Sequence, residues 1–214
     1  MRFILLLLAA LLALPAPPGR AQPAEPVIAN PAVDPAWTGL WVRLATSGNR
    51  SCRFEERRYF PFRSTPVLLT GQLRFTAERG LSLQYLTPER RLVVVDEQGV
   101  LVRDASGRTQ ALAPDEHSLG PLAALLPIME FDLPDLLQTF TFRGHRTGED
   151  WTLTLVPRPG ELAHRIRWVE MAGDGSRLRK IEVNLSVHQR VEMRFLTFRE
   201  QVVFSPSDLA RYFR

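Results

Sequence analysis

The stretch Trp151-Thr152-Leu153-Thr154-Leu155 alternates apolar and polar residues at every position. Successive side chains of a β-strand point to opposite faces, so this pattern predicts a strand with one apolar face and one wet face. The same alternation recurs between residues 71 and 198. Short Gly-containing connections at 78–80 and 97–99 favour hairpins, because parallel neighbours need long crossovers. We therefore predict a mainly β fold: a single curved antiparallel sheet of about ten strands, a half-barrel, closed by short helices over an apolar cavity.

The first candidate for a covering helix follows Asp34-Pro35, a pair that is typical of a helix start. Trp37, Leu40 and Trp41 then fall on one face at helical spacing. Two Trp on one short amphipathic helix favour a plug for the apolar face of the sheet. A helix that only packs in the core, with no ligand role, is the alternative.

A second pair of short helices is predicted in the middle of the strand meander. Residues 118–129 form a nearly continuous apolar run, and residues 132–138 have the composition of a further helical turn. Such a pair has no role in a simple two-sheet sandwich, so we expect it to lie as a lid over the concave face of the sheet. A crossover that packs on the edge of the sheet is the alternative.

The first 21 residues have the features of a signal peptide. Arg2 supplies the positive start, residues 3–14 the apolar run, and Gly19-Arg20-Ala21 a small-x-small cleavage site. The run is shorter than the ~20 residues that a spanning helix needs. We expect cleavage after residue 21, a Pro-rich flexible tether over 22–35 and one domain over 36–214. The leader predicts secretion to the periplasm, with no membrane-spanning segment left after cleavage.

Composition narrows the classes of partner. The chain has 27 Lys and Arg against 23 Asp and Glu, and loss of the leader removes Arg2 and Arg20, leaving a formal charge of +2. This near balance gives no support to a nucleic-acid partner. Cys52 is the sole cysteine, so an internal disulfide is excluded and stability must come from core packing.

The sequence offers little catalytic chemistry. Its four His are scattered, and it contains no H-E-x-x-H, G-x-S-x-G, P-loop or dinucleotide-binding motif. Glu55-Glu56 is followed by Arg57-Arg58, which we interpret as a solvated, mutually paired strand face. We therefore expect neither an enzyme nor a metal or other cofactor.

What stands out instead is an excess of apolar surface. Burying one large apolar side chain is worth roughly 1.5–3 kcal/mol, so such a face does not stay exposed to water. A trough covered loosely by helices suits acyl chains, which gain ~0.8 kcal/mol per buried CH₂. The residues predicted to line the lid are Trp37, Trp41, Leu125, Leu126, Leu133 and Leu136. Those predicted to line the trough are Leu73, Phe75, Leu83, Tyr85, Phe140, Phe142, Trp151, Leu153, Trp168, Val183 and Phe195.

Several short phrases of the chain resemble the outer-membrane lipoprotein carriers, the LolA-like family, between about Trp37 and Phe204. They are Phe54-Glu55, residues 71–75 with Gly80-Leu81, Tyr85, Thr87-Pro88, the hairpin at 95–100, the apolar segment before 131–142, and residues 151–157. The resemblance implies a half-barrel whose cavity receives acyl chains. It also implies a periplasmic shuttle that takes cargo from an inner-membrane exporter to an outer-membrane acceptor.

The resemblance also implies a lid latch. In the family, an Arg-Pro pair after the second sheet strand helps to hold the lid closed; here Arg79 stands near that place, but Gly80 follows it. This departure indicates a divergent member, whose cargo is a lipid, a glycolipid or a lipoprotein. A periplasmic lipid-sensing regulator with the same fold, which passes a signal to a protein partner, is the alternative function.

Overall fold

The computed structural model describes residues 25–112 and 126–214. Within them, the chain forms one antiparallel sheet in the order β1-β8-β9-β10-β11-β12-β2-β3-β4-β5-β6-β7. The strands are β1 (Val27–Ile28), β2 (Arg50–Tyr59), β3 (Val67–Thr76), β4 (Gly80–Thr87), β5 (Arg91–Asp96), β6 (Gly99–Arg103), β7 (Thr109–Leu112), β8 (Phe140–Thr147), β9 (Asp150–Pro157), β10 (Trp168–Asp174), β11 (Arg177–Asn184) and β12 (Arg190–Phe195). The predicted single antiparallel sheet is confirmed, with two more strands among the described residues than the ten expected.

Three helices accompany the sheet: α1 (Thr38–Ala45), α2 (Leu133–Thr139) and α3 (Pro206–Tyr212). Residues 126–130 are also helical, and Glu161–His164 forms a 3₁₀ turn. The apolar run predicted to begin at Ser118 lies outside the described residues as far as Leu125. Asp34 does not start α1; its carboxylate instead accepts the Ala36 amide at 2.9 Å in a preceding turn.

Part of the predicted flexible tether is tied to the sheet. β1 pairs with β8 through Val27↔Arg143 and Ile28↔Phe142, and Ile28 is buried. The Gly144 amide also donates to the Pro26 carbonyl at 3.1 Å. The prediction of a flexible tether is therefore wrong for this segment. The strand was missed because two residues are too few to show alternation.

The two faces of the sheet have different helices packed on them. The inner face carries Phe54, Leu73 and Phe142, and the Trp41 ring of α1 meets Phe142 there edge-on at 5.8 Å. On the outer face, Tyr212 of α3 lies over the guanidinium of Arg74. Most of the buried apolar side chains belong to one cluster that spans the inner face and α1.

Two glycines mark irregularities in the strands on the inner face. The pairing of β3 with β4 shifts next to Gly71, and that of β10 with β11 shifts next to Gly173. A Cβ atom at Gly71 would lie 2.6 Å from Phe54 Cζ, and one at Gly173 would lie 2.3 Å from Trp151 Cζ2. Each glycine thus lets an aromatic ring lie directly on the backbone at a bulge, where strands bend.

Candidate functional site

The inner face of the sheet brings together most of the residues predicted to line the trough. The register places ten of them on this one face, and none is more than 8% exposed. They are Leu73, Phe75, Leu83, Tyr85, Phe140, Phe142, Trp151, Leu153, Val183 and Phe195. The face is therefore a continuous apolar surface that runs across strands from both halves of the chain.

Trp168 is not part of this surface. It pairs with Asn184, which in turn pairs with Arg190, and this register places it on the outer face. The Arg167 guanidinium lies 4.9 Å from its ring. Its assignment to the trough is wrong, and β10 begins at this residue. Two adjacent apolar residues open the strand, so alternation alone does not show that Val169 is the inward one.

The lid, by which we mean α1 and residues 126–139, supplies the second wall. Trp37, Trp41, Leu133 and Leu136 are buried in the same apolar cluster as the trough, as predicted for lid residues. Leu126 is half-buried against that cluster, and Leu125 lies outside the described residues. The structure thus brings α1 and the mid-chain segment onto one face of the sheet.

Phe131 is a lid residue that the sequence interpretation missed. It lies between helical residues 126–130 and α2 with a positive φ of 54°, a backbone conformation that is uncommon for a bulky residue. Its ring is buried and meets the Trp41 ring edge-on at 6.1 Å. The chain reverses at this point, so Phe131 sets how α2 approaches the sheet.

Arg79 does not reach the lid. It is exposed in the turn between β3 and β4, where its Nη1 donates to the Arg214 carbonyl at 3.0 Å. The family latch expected at Arg79 is therefore absent from this position, because the hairpin turn directs the side chain to the C-terminus. Other basic side chains contact the lid, such as Arg158, whose Nε donates to the Leu137 carbonyl at 3.1 Å, and Arg50, which is buried at the start of β2.

Arg50 is buried on the inner face and is only 2% exposed. Its guanidinium lies 4.6 Å from the Phe75 ring centroid and 5.0 Å from that of Phe131, a cation–π sandwich between sheet and lid. Nε donates to the Gly48 carbonyl at 2.9 Å, whereas Nη1 has no hydrogen-bond partner. Burial lowers the pKa of Arg50 to about 10, against the opposing attraction of Glu200.

Arg50 was missed because the sequence showed no alternation that would extend the strand before Cys52, whereas β2 begins at Arg50. A usable signal was present, since Arg50 shares its parity with Phe54. The same parity places Glu56 inward, and it is buried. Arg50 and Glu56 are thus two buried charged residues of β2 on an otherwise apolar inner face.

The mutual pairing predicted for Glu55-Glu56-Arg57-Arg58 is present, since Arg57 pairs with Glu55 and Arg58 with Glu56, but Glu56 is buried and not solvated. The Glu56 carboxylate accepts the Tyr85 hydroxyl at 2.7 Å and Arg58 Nε at 2.5 Å. Burial and the adjacent Glu56 carboxylate raise the pKa of Tyr85. The trio is internally satisfied, so it reads as a structural network that closes this end of the inner face.

A groove of about 750 Å³ opens beside Arg50, between α1, the turn at 130–134 and the sheet. Its walls are mostly apolar, and Trp41, Phe75 and Phe131 contribute to them. Its exposed members include the three carboxylates of Glu97, Glu130 and Asp132. Burial, together with Asp132, Asp135 and Glu97, raises the pKa of Glu130. The groove therefore combines an apolar wall, one buried cation and an acidic rim.

Within 25–112 and 126–214, no group of three or more His, Cys, Asp or Glu side chains is placed to hold a metal ion. In the same residues, no helix has the length and apolar character needed to cross a bilayer. The predicted signal peptide lies outside these residues.

No protein-family model matches this chain, and no curated protein matches it. The fold is similar to an outer membrane lipoprotein-sorting protein domain from Vibrio parahaemolyticus, at 10% identity and a TM-score of 0.47 over 80% of this chain and 93% of that chain. It is also similar to a LolA superfamily protein from Nitrosomonas europaea, at 8% identity and a TM-score of 0.44 over 79% of this chain and 94% of that chain. The MucA/MucB complex of Pseudomonas aeruginosa matches at 19% identity and a TM-score of 0.41, over 79% of this chain and 59% of that chain.

Fold and site together define a class of protein: an open antiparallel sheet whose apolar inner face is covered by short helices. Two of the similar structures carry the name of the lipoprotein-sorting or LolA group that the sequence resembles.

Proposed function

We propose that this protein is a periplasmic carrier that binds the acyl chains of a lipid, glycolipid or lipoprotein on the inner face of its sheet. The observation that carries the proposal is the pairing of that apolar face with a lid held on it by ring and aliphatic contacts, such as Trp41 against Phe142 and Phe131. No covalent step is part of the function.

The proposal has a simple physical basis. Each large side chain that leaves the inner face costs roughly 1.5–3 kcal/mol, and each CH₂ that replaces it returns ~0.8 kcal/mol. Acyl chains can therefore take the place of lid side chains on the same surface at little net cost. Such an exchange is reversible, which is what a carrier needs in order to release its cargo.

The location and partners belong to the same proposal. Residues 1–21 would direct the chain to the periplasm, where it would receive cargo from an inner-membrane exporter and deliver it to an outer-membrane acceptor. A protein that loads on one side and unloads on the other must open its lid at both encounters.

The direct test is to purify the protein from the periplasm without detergent, extract it with organic solvent and analyse the extract by mass spectrometry. We expect one class of lipid at near-stoichiometric amounts. A protein that carries no lipid and also fails to take up a fluorescent fatty acid would contradict the proposal. Retention of the lipid when outer membranes that contain the acceptor are added would contradict delivery and favour the sensor.

A pair of variants on β9 tests the face itself. Trp151 is buried on the inner face, whereas Thr152 is the next residue on the outer face. Trp151→Glu places a charge in the trough and should abolish lipid retention by the folded protein, while Thr152→Glu should retain it. Circular dichroism selects folded protein, and equal retention by both variants would show that lipid binds elsewhere.

A further inference from the structure

The groove beside Arg50 has features that an acyl-chain trough does not need. Removing an ionised group from water is costly, and a buried charge is ordinarily paired or hydrogen-bonded. Arg50 is 2% exposed, and its Nη1 has no partner among the described residues. Phe75 and Phe131 satisfy the faces of the guanidinium but leave the Nη1 donors unused.

The chemistry of the missing partner follows from the donor. A guanidinium presents a planar fork that matches the oxygens of a phosphate or carboxylate, and such charge-assisted hydrogen bonds are about twice as strong as neutral ones. The Phe131 ring covers Arg50 on the lid side. Movement of Phe131 with the lid would therefore open Nη1 to the groove at the moment when the trough opens.

The rim of the groove adds a second requirement. Glu97, Glu130 and Asp132 line the same groove and are exposed. The Asp132 carboxylate caps α2 by accepting the Asp135 amide at 3.2 Å, which leaves Glu97 and Glu130 as the carboxylates with no partner in the described part of the chain. A ligand with only negative charge would be repelled by this rim, whereas a ligand with an outer cationic group would be attracted.

We infer that the groove is a headgroup site for a zwitterionic phospholipid, in which Arg50 binds the phosphate and the acidic rim at Glu97 and Glu130 binds the ammonium group of phosphoethanolamine. This inference rests on the proposed carrier function and names its substrate class. The groove volume of about 750 Å³ is within the usual range of small-molecule sites, roughly 300–1,000 Å³. The groove adjoins the trough through Phe75 and Trp41, which belong to both, so headgroup and acyl chains can be held together.

The test uses three lipids with identical acyl chains. The full-length mature protein is incubated with vesicles that contain equal amounts of dioleoyl phosphatidylethanolamine, dioleoyl phosphatidylglycerol and dioleoylglycerol. The protein is then separated from the vesicles, and its bound lipid is quantified by mass spectrometry. We expect phosphatidylethanolamine to exceed phosphatidylglycerol by about tenfold, the effect of one charged contact.

Three variants assign that preference to residues. Arg50→Met should lower the loading of both phospholipids by about tenfold without lowering that of dioleoylglycerol. The double variant Glu97→Gln/Glu130→Gln should keep the total phospholipid loading of the wild type. It should lose the preference, so that phosphatidylethanolamine and phosphatidylglycerol load in equal amounts. Arg53→Met is the matched control, because Arg53 is exposed on the opposite face of the same strand, and it should change nothing.

The outcomes separate the two proposals. Equal loading of the two phospholipids by the wild-type protein overturns the headgroup site. The same conclusion follows if Arg50→Met loads as much phospholipid as the wild type. Because the first ratio is read on the wild type, the inference stays falsifiable even if a variant does not fold. If dioleoylglycerol and both phospholipids all fail to load, the carrier function itself fails.

Discussion

The helix on the outer face and the lid on the inner face are held to the same sheet by different kinds of contact. α3 begins with a capping box between Ser205 and Asp208 and is followed by Arg214, whose guanidinium meets the Asp96 carboxylate at 2.5 Å. Tyr212 stacks on the guanidinium of Arg74, with 3.6 Å from ring centroid to Cζ, and Phe213 is fully buried. Directional polar contacts therefore fix α3 in one position.

The lid is held mainly by ring and aliphatic contacts. Leu133, Leu136 and Trp41 pack into the apolar cluster, and the joining residue Phe131 has a positive φ. Apolar contacts are non-directional, so another apolar surface can replace them. The lid also accepts hydrogen bonds from Arg158 at the carbonyls of Leu137 and Thr139, at the end of α2 that leads into β8. The same sheet thus has one face covered by a helix that directional polar contacts hold and one face covered mainly through apolar contacts.

The first test removes Phe213, the main apolar contact between α3 and the sheet. Phe213→Ala deletes a fully buried ring that also meets the Phe204 ring at 6.0 Å. We expect the free energy of unfolding to fall by about 3–5 kcal/mol, measured by urea denaturation. Phe62→Ala is the control, since Phe62 is 82% exposed and should leave stability unchanged. A loss below about 1 kcal/mol for Phe213→Ala would show that α3 is no more fixed than the lid.

The corresponding truncation in the lid should cost less. Leu136 is as well buried as Phe213, and a buried Leu→Ala usually costs about 2–5 kcal/mol. We expect Leu136→Ala to lower the free energy of unfolding of the lipid-free protein by less than about 2 kcal/mol. If the lid opens locally before the sheet unfolds, its contacts are already lost at global unfolding, and a lid substitution then changes the free energy of global unfolding only slightly. The full cost of a core leucine would mean that lid and sheet unfold as one unit.

The ion pair after α3 should contribute a smaller but measurable amount. Asp96→Asn removes one charge from the pair with Arg214, in which both side chains are largely buried. We expect a loss of about 1–2 kcal/mol in the free energy of unfolding. Glu149→Gln offers the comparison, because its pair with Arg43 is exposed and longer, at 3.9 Å, and should change stability by less than about 0.5 kcal/mol. Equal effects would contradict the difference between a buried and an exposed pair.

The last test uses the unmodified protein and measures the rate at which a reagent in solution alkylates Cys52 on the inner face. Cys52 is buried there beside Leu73, and burial raises the pKa of its thiol to about 12. The thiolate is the reacting form, so between pH 7 and 9 alkylation of the folded protein should be slow and should rise about tenfold per pH unit.

In urea the thiol pKa returns to ~8.5 and the rate should level off above that pH. Bound lipid should slow the reaction of the folded protein further, because acyl chains on the inner face would then cover Cys52. Rapid alkylation of the folded, lipid-loaded protein would show that Cys52 is reached from another direction.

The regular part of the sheet was predictable because the alternation of residues is a local signal. The alternating stretch Trp151–Leu155 lies within β9, and the Ser205 cap with Pro206 is a local signal for the start of α3. β1 and β7 were not predicted, since they have two and four residues and depend on pairing with distant strands. Trp168 was assigned to the wrong face because Val169 beside it is equally apolar.

The polar part of the candidate site was not predictable in the same way. Alternation identifies which residues share a face, but charge was taken to mean exposure at Glu56, and no alternation extended the strand to Arg50, yet both residues are buried. Their burial depends on Phe131 and Tyr85, which lie far away in sequence. A site formed by residues from α1, β2, the β5–β6 turn and the lid is a tertiary property.

The two ring-covered glycines have a consequence for the size of the cargo. At Gly71 and Gly173 the bends of the sheet are set by contact between backbone and ring, so the frame of the trough has a fixed width. Any substitution with a side chain at either position would force an aromatic ring off the strand and splay the sheet. Under the proposed carrier function, a bulkier cargo would be accommodated by lifting the lid, and the thickness of the bound lipid would set how far the lid stands open.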